Sequence, residues 1–213
     1  MAKFNLHKGE RFNLSKQAGG LNKVKIGLGW EANEDPNGPN FDLDVSAFMI
    51  GDDFKIPDDG FFVFYGAENK GNDSEGNERP MSQDEAMLGA VDEKEGGSDD
   101  EGGDTEDMIL TLNKVDKRVQ QIIITVTICK YPHDDKKDRR TLALNFGMVH
   151  KCYIRICNDE SGEEIARYDL AEKFGNEDAV EFGRLYRLGN EWEFEALGRG
   201  LNGSMPALIE MYT

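Results

Sequence analysis

The chain has 213 residues, of which 38% are hydrophobic and 31% are charged, and its formal net charge at pH 7 is −17. This length suits a single all-β domain with a substantial core, and we expect one domain over residues 1–213. The acidic balance argues against non-specific nucleic-acid binding, which depends on basic side chains that release counterions from phosphates. No signal peptide or apolar run of membrane-spanning length is visible, so we expect no membrane insertion.

Short strand-like segments follow one another along the chain, separated by turn signals. The first, residues 4–14, alternates weakly around Lys8-Gly9-Glu10, which predicts a hairpin. The other predicted strands cover residues 24–30, 41–50, 61–65, 108–112, 122–128, 152–157, 164–170 and 192–197. The aromatic strand at residues 61–65 is expected to be buried on both faces. About nine short strands in this arrangement predict an antiparallel β-sandwich.

Helix signals are few. Ser82-Gln83-Asp84-Glu85 matches a capping box and predicts a short helix. A better helix candidate begins at Asn176, because Ala179, Phe182 and Tyr186 are spaced for one helical face. Residues 198–213 are expected to form a weakly ordered tail. The predicted fold class is therefore all-β, an antiparallel β-sandwich with one or two short helices and a long acidic loop over residues 66–107.

In the predicted strand at residues 41–50, alternate residues form two faces of different composition. One face is apolar throughout and carries Phe41, Leu43, Val45, Ala47 and Met49. The other face begins with Asp42, Asp44 and Ser46 before it becomes apolar. Next-but-one side chains on a strand lie about 6.5–7 Å apart, so two carboxylates there can bind one hard cation. We therefore predict Asp42, Asp44 and Ser46 as metal ligands.

A second acidic segment, residues 92–107, carries nine acidic residues against one lysine, a formal charge of −8. Paired glycines at Gly96-Gly97 and Gly102-Gly103 would let it fold around an ion. Its ligand spacing does not match an EF-hand. Two acidic strand starts, one of them preceded by a glycine-rich loop, predict an oxygen-ligand cage for calcium. The alternative is a solvated, disordered acidic tract.

The three cysteines, Cys129, Cys152 and Cys157, are sparse and odd in number, which favours a reduced, cytoplasmic protein. A zinc site with His133 is disfavoured because Cys152 and Cys157 would lie on opposite faces of one strand. The glycine pattern at residues 198–203 lacks the helix that dinucleotide binding needs. No nucleophile–base arrangement is visible, so we expect no enzymatic activity.

Several segments together carry a family resemblance that covers nearly the whole chain in order. They are Gly27–Trp30, Phe41–Phe48, Phe61–Tyr65, Gly103–Glu106, Ile124–Ile128, Ile154–Asp159, Ala166–Leu170 and Gly183–Arg187, leading into Trp192. In these segments the chain resembles the TerD family, the tellurite-resistance and general stress proteins of bacteria. The resemblance implies a β-sandwich that binds calcium through acidic loops at one end.

The family's Asp-x-Asp pair corresponds to Asp42 and Asp44. Its Gly-Asp-Asp-Glu motif corresponds to Gly103–Glu106, where Thr105 replaces the second Asp. By this resemblance Asp104 and Glu106 are candidate ligands. The candidates to replace the missing carboxylate are Asp99, Asp100 and Asp107.

We expect a non-enzymatic, cytoplasmic stress-response protein that acts as a calcium-dependent interaction module. Calcium would neutralise the loop at residues 96–107, dock it against Asp42 and Asp44, and create a surface for other proteins of a stress-response complex. One alternative is an acidic interaction module that needs no metal. Another is an enzyme that processes tellurium oxyanions through a cysteine, although no cysteine has a context that lowers its pKa.

Overall fold

The computed structural model describes residues 4–16, 20–35, 38–94, 96–97, 103–130, 143–170 and 174–213. Among these residues the strands are β1 (Phe4–Asn5), β2 (Arg11–Asn13), β3 (Lys23–Gly29), β4 (Leu43–Ile50), β5 (Phe62–Val63), β6 (Lys70–Asn72), β7 (Glu78–Pro80), β8 (Met87–Leu88), β9 (Glu106–Thr111), β10 (Gln121–Ile128), β11 (Tyr153–Asn158), β12 (Glu164–Asp169), β13 (Ala179–Leu188) and β14 (Glu191–Leu201). One α-helix, α1 (Ser204–Tyr212), follows β14.

Two six-stranded sheets form the sandwich. The first has the strand order β1-β12-β11-β3-β9-β8, and the second has the order β2-β14-β13-β10-β4-β5. Strands β6 and β7 form a separate two-stranded ribbon. The pairings within the two large sheets are antiparallel except for β1 with β12, which is parallel. The predicted fold class, an antiparallel β-sandwich, is confirmed.

Strand β4 is buried on both faces, although its second face begins with polar residues. Its inner face packs into the core between the two sheets through Leu43, Val45, Ala47 and Met49. On its outer face, Phe48 and Ile50 belong to a second hydrophobic cluster that includes Leu208 and Tyr212 of α1. Asp44 and Ser46 share this outer face, so the polar start of the face lies beside a covered apolar region.

The helix predicted from Asn176 is wrong, because residues 179–188 form strand β13. Both edges of β13 are paired, one with β10 and the other with β14. The register with each neighbour shifts inside the strand, and such a bulge changes which side chains share a face. As a result Phe182 and Leu185, three residues apart, both lie in the main core and imitate a helical spacing.

The predicted capping box at residues 82–85 also does not begin a helix. The Ser82 hydroxyl donates to the Asp84 carboxylate at 2.6 Å and accepts from the Met87 amide at 2.9 Å, which closes a turn before β8. The same side chains that can cap a helix also stabilise turns. Residues 66–107, predicted as one long loop, contain the short strands β6, β7 and β8.

Three terminal or edge predictions also need correction. Residues 198–213 are not a weakly ordered tail but the end of β14 followed by α1. The expected N-terminal hairpin is absent, since β1 pairs with β12 in one sheet and β2 with β14 in the other. The predicted aromatic strand is shorter than expected and forms only β5, and Tyr65 beyond it is 46% exposed.

No helix in the described ranges combines the length and apolar content needed to cross a membrane.

Candidate metal centre

Asp42 and Asp44 lie together at the start of β4, at one end of the sandwich. The backbone there is held on two sides: the indole Nε1 of Trp30 donates to the Phe41 carbonyl at 2.7 Å, and the Cys129 amide donates to the Asp42 carbonyl at 2.8 Å. Asp42 is only 2% exposed and Asp44 only 6%. Two aspartates predicted to share a site are thus buried side by side.

A third carboxylate, Asp92, completes this cluster. One carboxylate oxygen from each of Asp42, Asp44 and Asp92 lies within 4.8 Å of the others. We call these three residues the acidic cluster. Three carboxylates offer up to six oxygens, the ligand type that calcium prefers at about six to eight positions. Sequence reasoning missed Asp92, although it is the first residue of the acidic segment 92–107, because an exposed loop residue leaves no periodic signal.

The carboxyl group of Asp44 is buried beside two other carboxyl groups. Burial, with smaller contributions from the charges of Asp42 and Asp92, raises the pKa of Asp44 to about 8, and the charge of Lys94 opposes this shift. Within the part of the chain that the structure describes, the Asp44 carboxylate makes no hydrogen bond. A buried ionised carboxylate without donors is unfavourable unless a cation joins it. The residues present therefore fit a hard, oxygen-preferring cation.

Lys94 supplies a partial counter-charge from the rim. Its Nζ lies 3.5 Å from Oδ2 of Asp92, and its side chain is 51% exposed. Such exposed ion pairs contribute little, about 0–1 kcal/mol, because water and salt screen them. Loss of the ion pair between Lys94 and Asp92 would therefore cost little stability.

Glu106 joins β4 to the segment that carries Asp92. One of its carboxylate oxygens accepts the Val45 amide at 2.9 Å, and the other accepts the Glu93 amide at 3.2 Å. Burial raises the pKa of Glu106 well above its usual range, and the charges of Asp44 and Asp42 add to this. By binding both backbones, Glu106 holds Glu93, and with it the adjacent Asp92, against β4.

Ser46, predicted as a ligand, is fully buried, and its hydroxyl lies 2.7 Å from the hydroxyl of Thr125 in β10. The two residues face each other in the antiparallel ladder between β4 and β10. This hydroxyl pair satisfies both side chains inside the sheet. The structure therefore gives Ser46 a partner in β10 and not in the acidic cluster.

The structure sends Asp104 to the outer face of the first sheet, away from the acidic cluster. Its carboxylate accepts from Nε of Arg155 at 2.6 Å and pairs with Nζ of Lys25 at 3.1 Å. A Cβ at Gly27 would overlap this carboxylate, so the glycine leaves the space that Asp104 fills. Because Asp104 already has two cationic partners, the expectation that it shares a site with Asp42 and Asp44 needs correction.

Asp107 is also placed elsewhere, since its Oδ2 accepts from Nη1 of Arg79 at 3.3 Å and its backbone carbonyl accepts from Nη2 of the same residue. Asp99 and Asp100, the other two candidate ligands, lie outside the described residues. Of the eight predicted ligands, the acidic cluster contains Asp42 and Asp44, and Glu106 adjoins it.

No disulfide bond links the three cysteines within the described residues. Burial raises the pKa of Cys152 and Cys157, so both remain protonated at neutral pH. A protonated, buried thiol is a poor nucleophile and a poor reductant. These two positions therefore do not favour chemistry on tellurium oxyanions.

Fold and site together define a small acidic β-sandwich protein with a carboxylate cluster at one end that could hold a cation. The family model described as "TerD domain" matches residues 1–212, so the chain belongs to the TerD family. This family is of the tellurite-resistance and general stress-response type, as the names of the relatives below indicate.

The chain is 36% identical over 207 residues to the tellurium resistance protein TerD of Serratia marcescens, covering 97% of this chain and 95% of that protein. It is 34% identical, with the same coverage, to general stress protein 16U of Bacillus subtilis. The crystal structure of SCO6318 from Streptomyces coelicolor, a homologue of telluride resistance protein TerD, superimposes with a TM-score of 0.66 at 16% identity and covers 89% of this chain and 96% of that one. This last likeness concerns the fold alone.

Proposed function

We propose that this TerD-family protein binds calcium at the acidic cluster and acts in the cytoplasm as a calcium-dependent interaction module of a stress response. The observation that carries the proposal is the approach of three carboxylates to within 4.8 Å, two of them almost fully buried. Like charges in a low-dielectric site repel unless a cation neutralises them. The proposed role is binding and not catalysis.

Calcium is the ion that this donor set favours. The acidic cluster consists of carboxylates alone, whereas zinc and copper sites use histidine or cysteine. Magnesium demands a near-ideal octahedral geometry and keeps most of its water, so a cage of flexible carboxylates discriminates against it. Asp42, Asp44 and Asp92 would hold the ion, with Glu106 beside them.

Calcium would also change the surface around the site. The segment that carries Asp92 is fastened to β4 by the hydrogen bond from the Glu93 amide to Glu106. When the ion neutralises the acidic cluster, the negative charge of this segment is reduced and its attachment to β4 is strengthened. The resulting surface is the proposed docking site for proteins of a stress-response complex.

The test is a calorimetric titration of chelator-treated protein with calcium, and with magnesium as the competing ion. We expect saturable binding that calcium wins, together with a higher melting temperature, since a ligand at 100 times its Kd stabilises by about 2.7 kcal/mol. Asp44→Asn should weaken calcium binding at least several-fold, whereas Asp52→Asn, the same change at an exposed site, should not. Absence of binding heat and of stabilisation would overturn the proposal and favour an acidic module that needs no metal.

A further inference from the structure

A cleft of about 430 Å³ lies beside the acidic cluster, between helix α1 and the outer face of the second sheet. Its floor includes Asp44 of β4 and Thr127 of β10, which face each other in the ladder. Met205 and Ile209 of α1 form one wall, and Tyr65 forms another. The cleft is thus largely apolar and has a carboxylate at its floor.

Asp44 is the acid of this cleft that has no cationic partner among the residues lining the cleft. It is 94% buried by residue area, given its 6% exposure, and its carboxylate makes no hydrogen bond within the described residues. The cleft's other acid, Asp178, is already engaged, because it is ion-paired with Lys130 and accepts the Gly203 and Ser204 amides at 2.9 and 2.7 Å. Lys130 and Asp178 therefore cancel, and Asp44 is the acid that no cation lining the cleft pairs with.

The chain itself supplies an alkylammonium group at the edge of the acidic cluster. Lys94 Nζ lies 3.5 Å from Asp92 Oδ2, and its charge acts on Asp44 as well. An ammonium ion thus suits these carboxylates electrostatically. Lys94 is exposed and does not line the cleft, so the cleft itself stays open to another ammonium group.

We propose that this cleft binds a small alkylammonium ion, with the ammonium group on Asp44 and the alkyl chain against Met205, Ile209 and the ring of Tyr65. The carboxyl group of Asp44 releases its proton to solvent and becomes the charge partner of the ammonium group, and the apolar walls, with the ring of Tyr65, remove the alkyl chain from water. This binding does not depend on calcium. Since both ligands use Asp44, an alkylammonium ion and calcium compete.

The experiment titrates chelator-treated, full-length protein with hexylammonium chloride at one fixed pH and ionic strength, followed by calorimetry and by NMR. Methylammonium supplies the charge without the chain, and 1-hexanol supplies the chain without the charge. We expect hexylammonium to bind at least tenfold more tightly than either control, because it alone satisfies both parts of the cleft. Equal binding of hexylammonium and methylammonium, or of hexylammonium and hexanol, overturns the proposal.

Variants separate the cleft from the general charge of the protein. Asp44→Asn should weaken hexylammonium binding at least tenfold, whereas Asp52→Asn, with the same change in net charge at an exposed site, should leave it unchanged. Pro206→Lys places a tethered ammonium at an exposed residue of the cleft rim and should also weaken binding. If Asp44→Asn and Asp52→Asn behave alike, the binding is non-specific attraction and the proposal fails. A calcium titration of the same samples tests the calcium site separately.

Discussion

Asp44 is the residue on which both the proposed calcium site and the proposed alkylammonium cleft depend. It is set on a strand whose apolar residues bury it, beside two other carboxylates, and the described residues donate no hydrogen bond to it. An exposed aspartate has a pKa near 3.8, and burial, together with the charges of Asp42 and Asp92, raises that of Asp44 to about 8. The folded protein therefore holds a proton here that the unfolded chain releases at low pH.

The first prediction concerns the pH dependence of stability without calcium. Because the folded pKa of Asp44 lies above its unfolded value, stability falls as the pH rises from about 4 through about 8 and then levels off. Glu106 acts in the same direction, since its pKa is also raised. Melting temperatures in chelator should fall less steeply with pH for Asp44→Asn than for the wild type. Identical slopes would show that Asp44 ionises freely in the folded state.

The second prediction concerns Asp92, which only the folded structure reveals as part of the acidic cluster. Asp92→Asn removes one carboxylate from the proposed ligand set and should weaken calcium binding at least several-fold. Because Asp92 is exposed, the same change should scarcely alter the stability of the calcium-free protein. Calorimetry and thermal unfolding measure the two effects, with Asp159→Asn as an acidic control outside the acidic cluster. Unchanged calcium affinity would remove Asp92 from the site.

At the scale of elements, the start of β9 connects the two faces of the first sheet. Glu106 turns inward to the amides of Val45 and Glu93, whereas Asp104, two residues earlier, lies on the outer face with Arg155 and Lys25. The Tyr153 hydroxyl donates to the Gly103 carbonyl at 2.8 Å and ties down the same segment. In the motif Gly103–Glu106, Glu106 therefore lies beside the acidic cluster, whereas Gly103 and Asp104 anchor the segment to the outer face of the first sheet.

The third prediction follows from this division. Asp104→Asn should lower the stability of the calcium-free protein by about 1–3 kcal/mol, because it weakens charge-assisted hydrogen bonds of a buried carboxylate. It should leave the number of bound calcium ions unchanged, since Asp104 already has cationic partners. Gly27→Ala, which crowds the same carboxylate, should act alike. Loss of a calcium ion in Asp104→Asn would instead make Asp104 a ligand, as the family resemblance implies.

The fourth prediction tests the packing of α1 on the second sheet. The ring of Phe48 stacks on Phe62 with centroids 4.2 Å apart and meets Tyr212 of α1 at 5.0 Å. Phe48→Ala should cost about 3–5 kcal/mol, because it removes a fully buried ring and leaves a cavity. Denaturant unfolding measures this loss. Phe54→Ala, at a phenylalanine that is 58% exposed, is the control and should cost far less.

At the scale of the whole molecule, the net charge of −17 attracts every cation that approaches. Long-range repulsion among the carboxylates opposes the compact state, and salt screens it over a Debye length of about 10 Å at 0.1 M. The fifth prediction is that moderate sodium chloride raises the melting temperature of the calcium-free protein while it weakens calcium binding. A melting temperature that does not respond to salt would mean that local ion pairs already balance the charge.

The sequence alone determined the class of fold and predicted two of the three residues of the acidic cluster. Strand alternation is a local property with a period of two, so residues 41–50 revealed both the core face and the pair Asp42 and Asp44. The β-branched composition of residues 122–128 predicted a central strand, and these residues lie in β10, between β13 and β4. Family motifs then pointed to the TerD family, which the match over residues 1–212 confirms.

Only the tertiary structure decided the rest, because those features depend on contacts between residues distant in the chain. A bulge and two neighbouring strands made β13 from a segment with helical spacing, and packing against the second sheet ordered α1. Asp92 lies beside Asp42 and Asp44 although about fifty residues of chain separate them. Asp104 instead forms ion pairs with Arg155 and Lys25. The local sequence pattern predicts on which face of its strand a side chain lies. Which charged side chains pair depends on which strands and loops pack together in the folded chain.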